Sequence, residues 1–368
     1  MVKIIYDYQI FSLSKYGGIS RYMYELATRT AQVNNFEVQI AAGFYVNKYL
    51  EKCSPNLVKG WHIPVIPKSL RIIGAINTQL SRIWLNQGNP DIVHETYYSR
   101  KRTAPKQCKT VITVYDMIHE KFGHLMLERD RKFSLVKAEA IKRADHIICI
   151  SQNTKQDLID ILEIDPNIIS TIYLGYSLQS DENFEETPKM SNPYILYVGD
   201  RRAEYKNFKR LLQAYASRRV IFDNFKLVCC GVKSFSDDEI AMIKSFGIDD
   251  AHFIYLPGDD KTLANLYTHA SVFVYPSLYE GFGIPPLEAM SFSCPVVCSN
   301  TSSIPEVVAD AGEYFNPYEL ESIADALERV LFSQERMKEL VIRGKERVKY
   351  FSWDTCAKQT QLVYDSLK

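Results

Sequence analysis

The stretch Ser271–Asn300, SVFVYPSLYEGFGIPPLEAMSFSCPVVCSN, decides how the rest of the chain is read. Its first residues form an apolar, β-branched and aromatic run of strand type that stops at Pro276–Ser277. A glycine-rich turn follows Glu280, and a helix is predicted to begin near Pro285–Pro286, where the N–H that proline lacks has no intrahelical partner. A second strand-like run, PVVCSN, comes next. Strand, turn, helix and strand make the βαβ unit of a parallel sheet. The turn aims backbone amides and the positive end of the helix at whatever lies in front, which suits a phosphate. Gly281 and Gly283 let the backbone approach a ligand closely. Glu280 before the turn and Glu288 one turn into the helix put two carboxylates where a sugar or ribose can be bracketed.

The same alternation runs outward in both directions. In the first half the strand candidates are KIIYDYQIF, FEVQIAAGF, DIVHETYY, TVITVYD, HIICIS and ISTIYLGY, with amphipathic stretches such as Ser20–Gln32 and Leu125–Arg143 between them. A polar, acidic segment, SLQSDENFEETPKMSNP (177–193), reads as an interdomain linker. The pattern then restarts with YILYVGD, FKLVCCG and HFIYLPG. Apolar runs spaced by helices are what a parallel sheet covered on both faces requires. The predicted fold class is therefore α/β, with two doubly wound Rossmann-like domains at 1–180 and 181–352. Ligands of such sheets bind outside the carboxyl ends of the strands.

Bulk properties narrow the function. At 368 residues, with 46% hydrophobic and 24% charged residues, the chain has the composition of a soluble two-domain protein. It has no signal-peptide pattern and no apolar run of membrane-spanning length, so a cytoplasmic location is expected. The eight cysteines include Cys149, Cys229 and Cys230 in apolar runs, no C-x-x-C occurs, and buried free thiols are expected. No aspartate or histidine cluster of metal-binding type is visible, so neither a metal nor any other cofactor is expected. Net charge is zero, but residues 1–175 hold 23 Lys and Arg against 16 Asp and Glu, and the remainder reverses to 21 against 28. A basic half suits an anionic partner, either a diphosphate-linked acceptor or the anionic inner face of the plasma membrane, with Arg100, Lys101 and Arg102 as the candidate patch. Nucleic acid is disfavoured, because no basic-aromatic reader motif occurs. A nicotinamide oxidoreductase is disfavoured, because no G-x-G-x-x-G follows either first strand.

The spacing Glu280–x7–Glu288 with GFGIPPL inside it and PVVCSNTSSIPEV after it resembles the retaining glycosyltransferases of family 4, which have the GT-B fold. GGISRY (17–22), YVGDRRAEYKNF (197–208) and LPGDDKTLANLY (256–267) are similar to the family in the expected order, so the resemblance covers essentially the whole chain. It implies transfer of a hexose from a nucleotide diphosphate sugar, GDP-mannose favoured, to a glycan or polyprenyl-diphosphate-linked glycan in cell-surface polysaccharide synthesis. It also implies a final helix, 353–368, that crosses back to the first domain, and a donor bound between the domains.

Residue by residue, the resemblance implies that Glu280 lies near the donor-sugar hydroxyls and that Gly281, Phe282 and Gly283 face sugar and phosphate. Glu288 would bind the ribose. Arg201, or its neighbour Arg202, and Lys206 would neutralise the diphosphate, beside Gly199. Leu256 and Pro257 would touch the base, and Gly17 and Gly18 would approach the phosphate from the first domain. The chain departs from the family pattern at Tyr115, which stands where a histidine often precedes Asp116. Either His119 substitutes for it, or Asp116 and His119 share its contact with donor sugar and acceptor. His94 and Tyr97 are the candidates for the acceptor surface. A sugar-nucleotide epimerase and a catalytically silent partner in a glycan-assembly complex are the alternatives.

Overall fold

Strands that are apolar on both faces must be covered on both, and that requirement shapes each half of the chain. The computed structural model describes residues 1–66, 70–125, 128–178, 192–231 and 234–368. The chain divides into a first unit, Met1–Gly175 with Ser352–Lys368, and a second, Tyr176–Phe351.

Among the described residues, the first unit holds a seven-stranded parallel sheet: β1 (Val2–Tyr6), β2 (Phe36–Tyr45), β3 (Val58–His62), β4 (Ile92–Glu95), β5 (Lys109–Val114), β6 (His146–Cys149) and β7 (Ile169–Thr171). Their spatial order is β3-β2-β1-β4-β5-β6-β7. The second unit holds a six-stranded parallel sheet: β8 (Tyr194–Val198), β9 (Lys226–Gly231), β10 (Phe253–Pro257), β11 (Val272–Tyr275), β12 (Val296–Ser299) and β13 (Gly312–Phe315). Its order is β10-β9-β8-β11-β12-β13. The direction of winding reverses between β1 and β4 in one sheet and between β8 and β11 in the other. Loops leaving those neighbouring strands diverge to opposite faces, which opens a crevice at each carboxyl edge.

The second core is sheet residues such as Ile195, Leu227, Val274 and Val297, packed against Leu211 and Tyr215 of helix Phe208–Ser217 and Leu327 and Val330 of helix Leu320–Leu331. In the first unit the final helix, Trp353–Ser366, begins at Ser352, whose hydroxyl accepts the Thr355 N–H at 3.1 Å. This helix carries Tyr364 into a buried polar network. The Tyr364 hydroxyl lies 2.9 Å from the Tyr6 hydroxyl and 2.6 Å from His94 Nδ1. His94 Nε2 lies 2.9 Å from Thr113 Oγ1, which the Tyr22 hydroxyl approaches at 3.2 Å.

Two readings change. KIIYDYQIF is not one strand: β1 stops at Tyr6, and Gln9–Leu13 is a helix. The break sits at Asp7, whose buried carboxylate accepts the Gln9 side-chain amide at 2.6 Å and the Thr96 hydroxyl at 2.6 Å. Strands β3 and β13 are absent from the sequence reading, because VKGWH and GEYF lack the continuous apolar run of a central strand. The linker assigned to 177–193 lies largely outside the described residues. All eight cysteines are free, and all but Cys53 are buried.

The His94 network makes acid sensitivity a structural property. Burial holds the His94 imidazole down from 6.5 to about 3. The unfolded chain takes up this proton near pH 6.5, so the contribution to stability is complete above that pH and is lost as pH falls toward 3. His94→Gln, which keeps one donor and one acceptor without the titrating ring, is expected to cost about 1–3 kcal/mol at neutral pH. Thermal melts between pH 7 and 4 should then show a shallower acid decline in the variant than in the parent.

Candidate functional site

The candidate site of the second unit is built on loops leaving β8, β9, β10, β11 and β12. After β8 the chain makes a single 3-10 turn, Glu204–Lys206, and enters a left-handed conformation at Asn207, φ 57°. Asparagine tolerates that backbone, and its buried side-chain amide donates to the carbonyls of Pro276 at 3.1 Å and Pro317 at 2.8 Å. The loop after β8 is thereby fixed to the exit of β11, and the Leu278 N–H donates to the Tyr205 carbonyl at 2.7 Å. Lys206 then reaches across the point where strand order reverses. Its Nζ lies 2.6 Å from Glu280 Oε1, with both side chains largely buried. The rings of Tyr205 and Tyr275 lie 5.4 and 5.7 Å from the same ammonium, close enough for attraction by their π faces. Burial, and secondarily the Glu280 charge, push the Tyr275 phenol well above its usual range.

The turn Glu280–Gly283 is clamped from the loop after β12. Ser302 Oγ accepts the Glu280 N–H at 2.9 Å, from a left-handed backbone with φ 54°. The buried Ser303 hydroxyl lies 2.9 Å from the Glu280 carbonyl and 2.8 Å from that of Phe282, and its one proton serves both. Gly283 has φ 120°, a conformation that side chains with a Cβ rarely adopt, and caps helix Ile284–Ser291 with Pro285 and Pro286 in its first turn. One turn in, Glu288 is buried and takes a long 3.5 Å contact from the Tyr267 hydroxyl. Burial first, and then Glu288, raise the Tyr267 phenol well above its usual range.

Where β8, β9 and β10 end, a cavity of about 470 Å³ is lined by Gly199, Arg201, Arg202, Cys230, Gly258 and Leu263, among others. The two arginines differ sharply. Arg201 has a side chain only 4% exposed, paired with Glu239 at 3.2 Å and lying 4.0 Å over the Phe235 ring. Arg202 is 48% exposed and reaches Asp200 at 3.1 Å. Leu256 and Pro257 end β10 in register with Cys230 and Gly231, next to the cavity's Gly258. Lys206, Glu280, Glu288, Gly199, Arg202 and the glycine turn are thus gathered at one sheet edge.

The first unit also has a cavity at its reversal point, about 310 Å³, lined by Tyr8, Gln9, Ser12, Tyr97, Tyr98 and Phe133, among others. Tyr97 stacks on Phe133 at 5.6 Å. His94 belongs elsewhere: it is fully buried with both ring nitrogens within hydrogen-bond distance of hydroxyls, so its place is in the core and not on an acceptor surface. Tyr115 is also core, its hydroxyl donating to the Thr96 carbonyl at 3.3 Å. Asp116 Oδ1 accepts the Ile118 N–H at 3.0 Å just ahead of the short helix Ile118–Lys121, and its carbonyl accepts from Lys137 at 2.7 Å. His119 packs on Phe133 at 5.0 Å, and its Nδ1 is buried without a hydrogen-bond partner. Gly17 and Gly18 are exposed at the start of helix Gly18–Thr30, with nothing within 4 Å of a Cβ built on Gly18. Among the described residues, no group of three or more His, Cys, Asp or Glu side chains is arranged to hold a metal ion.

Sequence reasoning missed Asn207, Tyr267, Ser302 and Ser303 as parts of this site. The serines had a signal, since TSSIPEV follows a strand at the same sheet edge as the glycine turn. Tyr267 had none, because a tyrosine inside a helix reads as packing.

Residues 16–180 match the family model described as Glycosyltransferase Family 4, and residues 179–347 match that described as Glycosyl transferases group 1. The chain is 32% identical over 245 residues to the O-antigen chain mannosyltransferase B of Escherichia coli, a match covering 62% of each chain. It is 26% identical over 274 residues to the O-antigen chain mannosyltransferase RfbU of Salmonella typhimurium, covering 74% of this chain and 73% of that one. The chain therefore spans less than two thirds of the first relative's length. Its fold is similar to that of sucrose-phosphate synthase from Thermosynechococcus elongatus, with a TM-score of 0.78, 18% identity and coverage of 100% of this chain and 99% of that one.

The Lys206–Glu280 pair can be tested without any ligand. A double-mutant cycle with Lys206→Met and Glu280→Gln, read by denaturant unfolding, should give a coupling energy of about 1–3 kcal/mol. Additive effects would show that the two groups do not hold each other.

Proposed function

Because the chain belongs to the glycosyltransferases of family 4, with the GT-B fold, we propose that it transfers a hexose from a nucleotide diphosphate sugar to a growing cell-surface glycan. The observation that carries this reading is the Lys206–Glu280 pair beside a glycine turn that opens a helix, with the buried Glu288 one turn further in. A cation, a helix N-terminus and two carboxylates in that order match the parts of a nucleotide diphosphate sugar: diphosphate, sugar hydroxyls and ribose hydroxyls.

In this reading Lys206 exchanges part of its contact with Glu280 for the donor's diphosphate, and Arg202, the more exposed of the two arginines, joins it. Arg201, held by Glu239 and Phe235, shapes the cavity and adds its charge from behind. Charge-assisted contacts of this kind are worth about 1.5–3 kcal/mol each. They stabilise the charge that develops on the diphosphate as the bond to the anomeric carbon breaks. Glu280 holds donor-sugar hydroxyls, Gly281, Phe282 and Gly283 line the sugar and phosphate, and Glu288 accepts from the ribose with Tyr267 behind it. Gly199, Leu256 and Pro257 border the base. Gly17 and Gly18 offer a helix start from the first unit that suits an anion. The aromatic cavity with Tyr97 takes the acceptor, and Asp116 and His119 flank it.

Retention of anomeric configuration is proposed, with the acceptor hydroxyl arriving on the face the phosphate leaves and giving it the proton. GDP-mannose is the proposed donor and a lipid-linked glycan the proposed acceptor, a choice supported by the mannosyltransferase names of the relatives. No metal is required in this scheme.

The test is a thermal-shift screen with UDP, GDP, dTDP, CMP and NAD, with and without EDTA. GDP is expected to stabilise the protein in either case, and Glu288→Ala and Lys206→Ala should each weaken that effect about tenfold or more in affinity. Glu280→Gln should lower transfer from GDP-mannose by about a hundredfold. A shift with NAD alone, or none with any nucleoside diphosphate, would overturn the proposal. An epimerised sugar nucleotide formed without acceptor would replace transfer by epimerisation.

A further inference from the structure

Residues 52–90 contain no aspartate or glutamate, whereas Lys52, Lys59, Lys68, Arg71 and Arg82 fall within them. Helix Leu70–Gly88 lies wholly in this stretch, and one of its faces exposes apolar side chains. Ile72 is 66% exposed, Ile76 43% and Ile83 51%. At 100° per residue these three side chains fall within roughly 40° of one another, a single narrow stripe. Trp84 of the same helix packs against the core cluster of Ile5, Ala41, Leu85 and Val93, and its ring lies 5.7 Å from that of Trp61. Trp61 is itself 54% exposed, and the Lys59 ammonium sits 4.8 Å over the Trp84 ring. Exposed isoleucines in register, on a helix whose Trp84 meets Trp61 and Lys59, leave an apolar surface in a stretch rich in lysine and arginine, with Glu51, paired with His62 at 3.1 Å, as the acid at its border. Water does not stabilise such a surface, and a patch of this kind marks an interaction site.

We propose that helix Leu70–Gly88 and Trp61 seat the first unit on an anionic phospholipid surface. The isoleucine stripe enters the boundary between headgroups and acyl chains, the tryptophan lies at headgroup level, and Lys59 and Arg82 meet the lipid phosphates. Among the described residues no helix is long and apolar enough to cross a membrane, so the contact is peripheral. This places the proposed contact elsewhere than the patch expected at Arg100–Arg102. There the Arg102 guanidinium turns inward to the carbonyls of Pro105 and Cys108, at 3.2 and 2.7 Å, and Arg100 faces Glu139 at 3.8 Å. The inner side of the docking helix supplies Ile73 and Gly74 to the wall of the aromatic cavity. A lipid-borne acceptor would therefore meet that cavity beside the surface it is anchored in. That last consequence rests on the lipid-linked acceptor proposed above; the docking itself does not.

The experiment is co-sedimentation of the full chain with vesicles of phosphatidylglycerol and phosphatidylethanolamine, against vesicles of phosphatidylcholine alone, without donor or acceptor. Binding is expected to the anionic vesicles only and to weaken with salt. The triple variant Ile72→Ser, Ile76→Ser, Ile83→Ser should bind about tenfold less or worse. Its melting temperature and its response to GDP keep loss of fold, and failure of the donor reading, distinct from loss of docking. Arg100→Ala with Lys101→Ala should bind as the parent does. Quenching of Trp61 fluorescence by brominated lipid, measured in a Trp84→Phe, Trp353→Phe background, gives a second readout. Absence of vesicle binding, binding that survives in the triple variant, or a dimer in solution that the triple variant dissolves would each overturn the proposal.

Discussion

The candidate site depends on the reversal of strand order between β8 and β11. The loops leaving these two neighbouring strands turn to opposite faces of the sheet, and besides the Leu278 N–H to Tyr205 carbonyl bond it is side chains that bridge the crevice. Lys206 from one loop and Glu280 from the other do so at 2.6 Å. The partners of that bridge are fixed before it forms: the Asn207 amide ties the lysine's loop to the carbonyls of Pro276 and Pro317, and Ser302 and Ser303 tie the glutamate's turn to the loop after β12. A largely buried ion pair is a poor source of net stability, because desolvation offsets its attraction. In the proposed function its use is different: the lysine is already oriented and desolvated when a phosphate arrives.

The first unit has the same topology and uses it differently. Between β1 and β4 the bridging group is Asp7, fully buried and hydrogen-bonded to Gln9 and Thr96, with burial holding its carboxyl above the usual range. Glu95 at the end of β4 is buried against Arg143, and its carboxyl is pushed up to about 7 by burial. These groups brace the cavity through residues of its wall, Asp7 by accepting from Gln9 and Glu95 through Arg143, which also donates to the Ser99 carbonyl, while Tyr8, Tyr97, Tyr98 and Phe133 line the space itself. Aromatic faces suit the apolar face of a sugar. One reversal point therefore carries a largely buried ion pair and the other carries aromatic surface.

Much of this was legible in the sequence. Continuous apolar runs gave away the parallel sheets, because central strands buried on both faces cannot alternate. The glycine and proline spacing after Glu280 marked the turn and the helix start, which the structure places at Gly283–Ile284. Edge strands β3 and β13 were invisible, since half-covered strands need no apolar run. His94 was misread because a histidine at a strand end looks poised for chemistry, and only the arrival of Tyr364 from the far end of the chain shows that both its nitrogens are occupied. Ser302, Ser303 and Asn207 act through backbone carbonyls and N–H groups, and a sequence does not say which backbone a short polar side chain will meet. The exposed stripe of Ile72, Ile76 and Ile83 escaped notice because apolar residues at helical spacing read as core until their exposure is measured.

The most direct measurement is a crystal structure of the chain with the nucleoside diphosphate that stabilises it. The predicted result puts the diphosphate against Lys206 and the start of helix Ile284–Ser291, lengthens the Lys206–Glu280 contact beyond 2.6 Å, and brings the ribose hydroxyls to Glu288. A nucleotide bound away from the β8–β11 crevice, with Lys206 still closed on Glu280 and Glu288 untouched by the ribose, would contradict it.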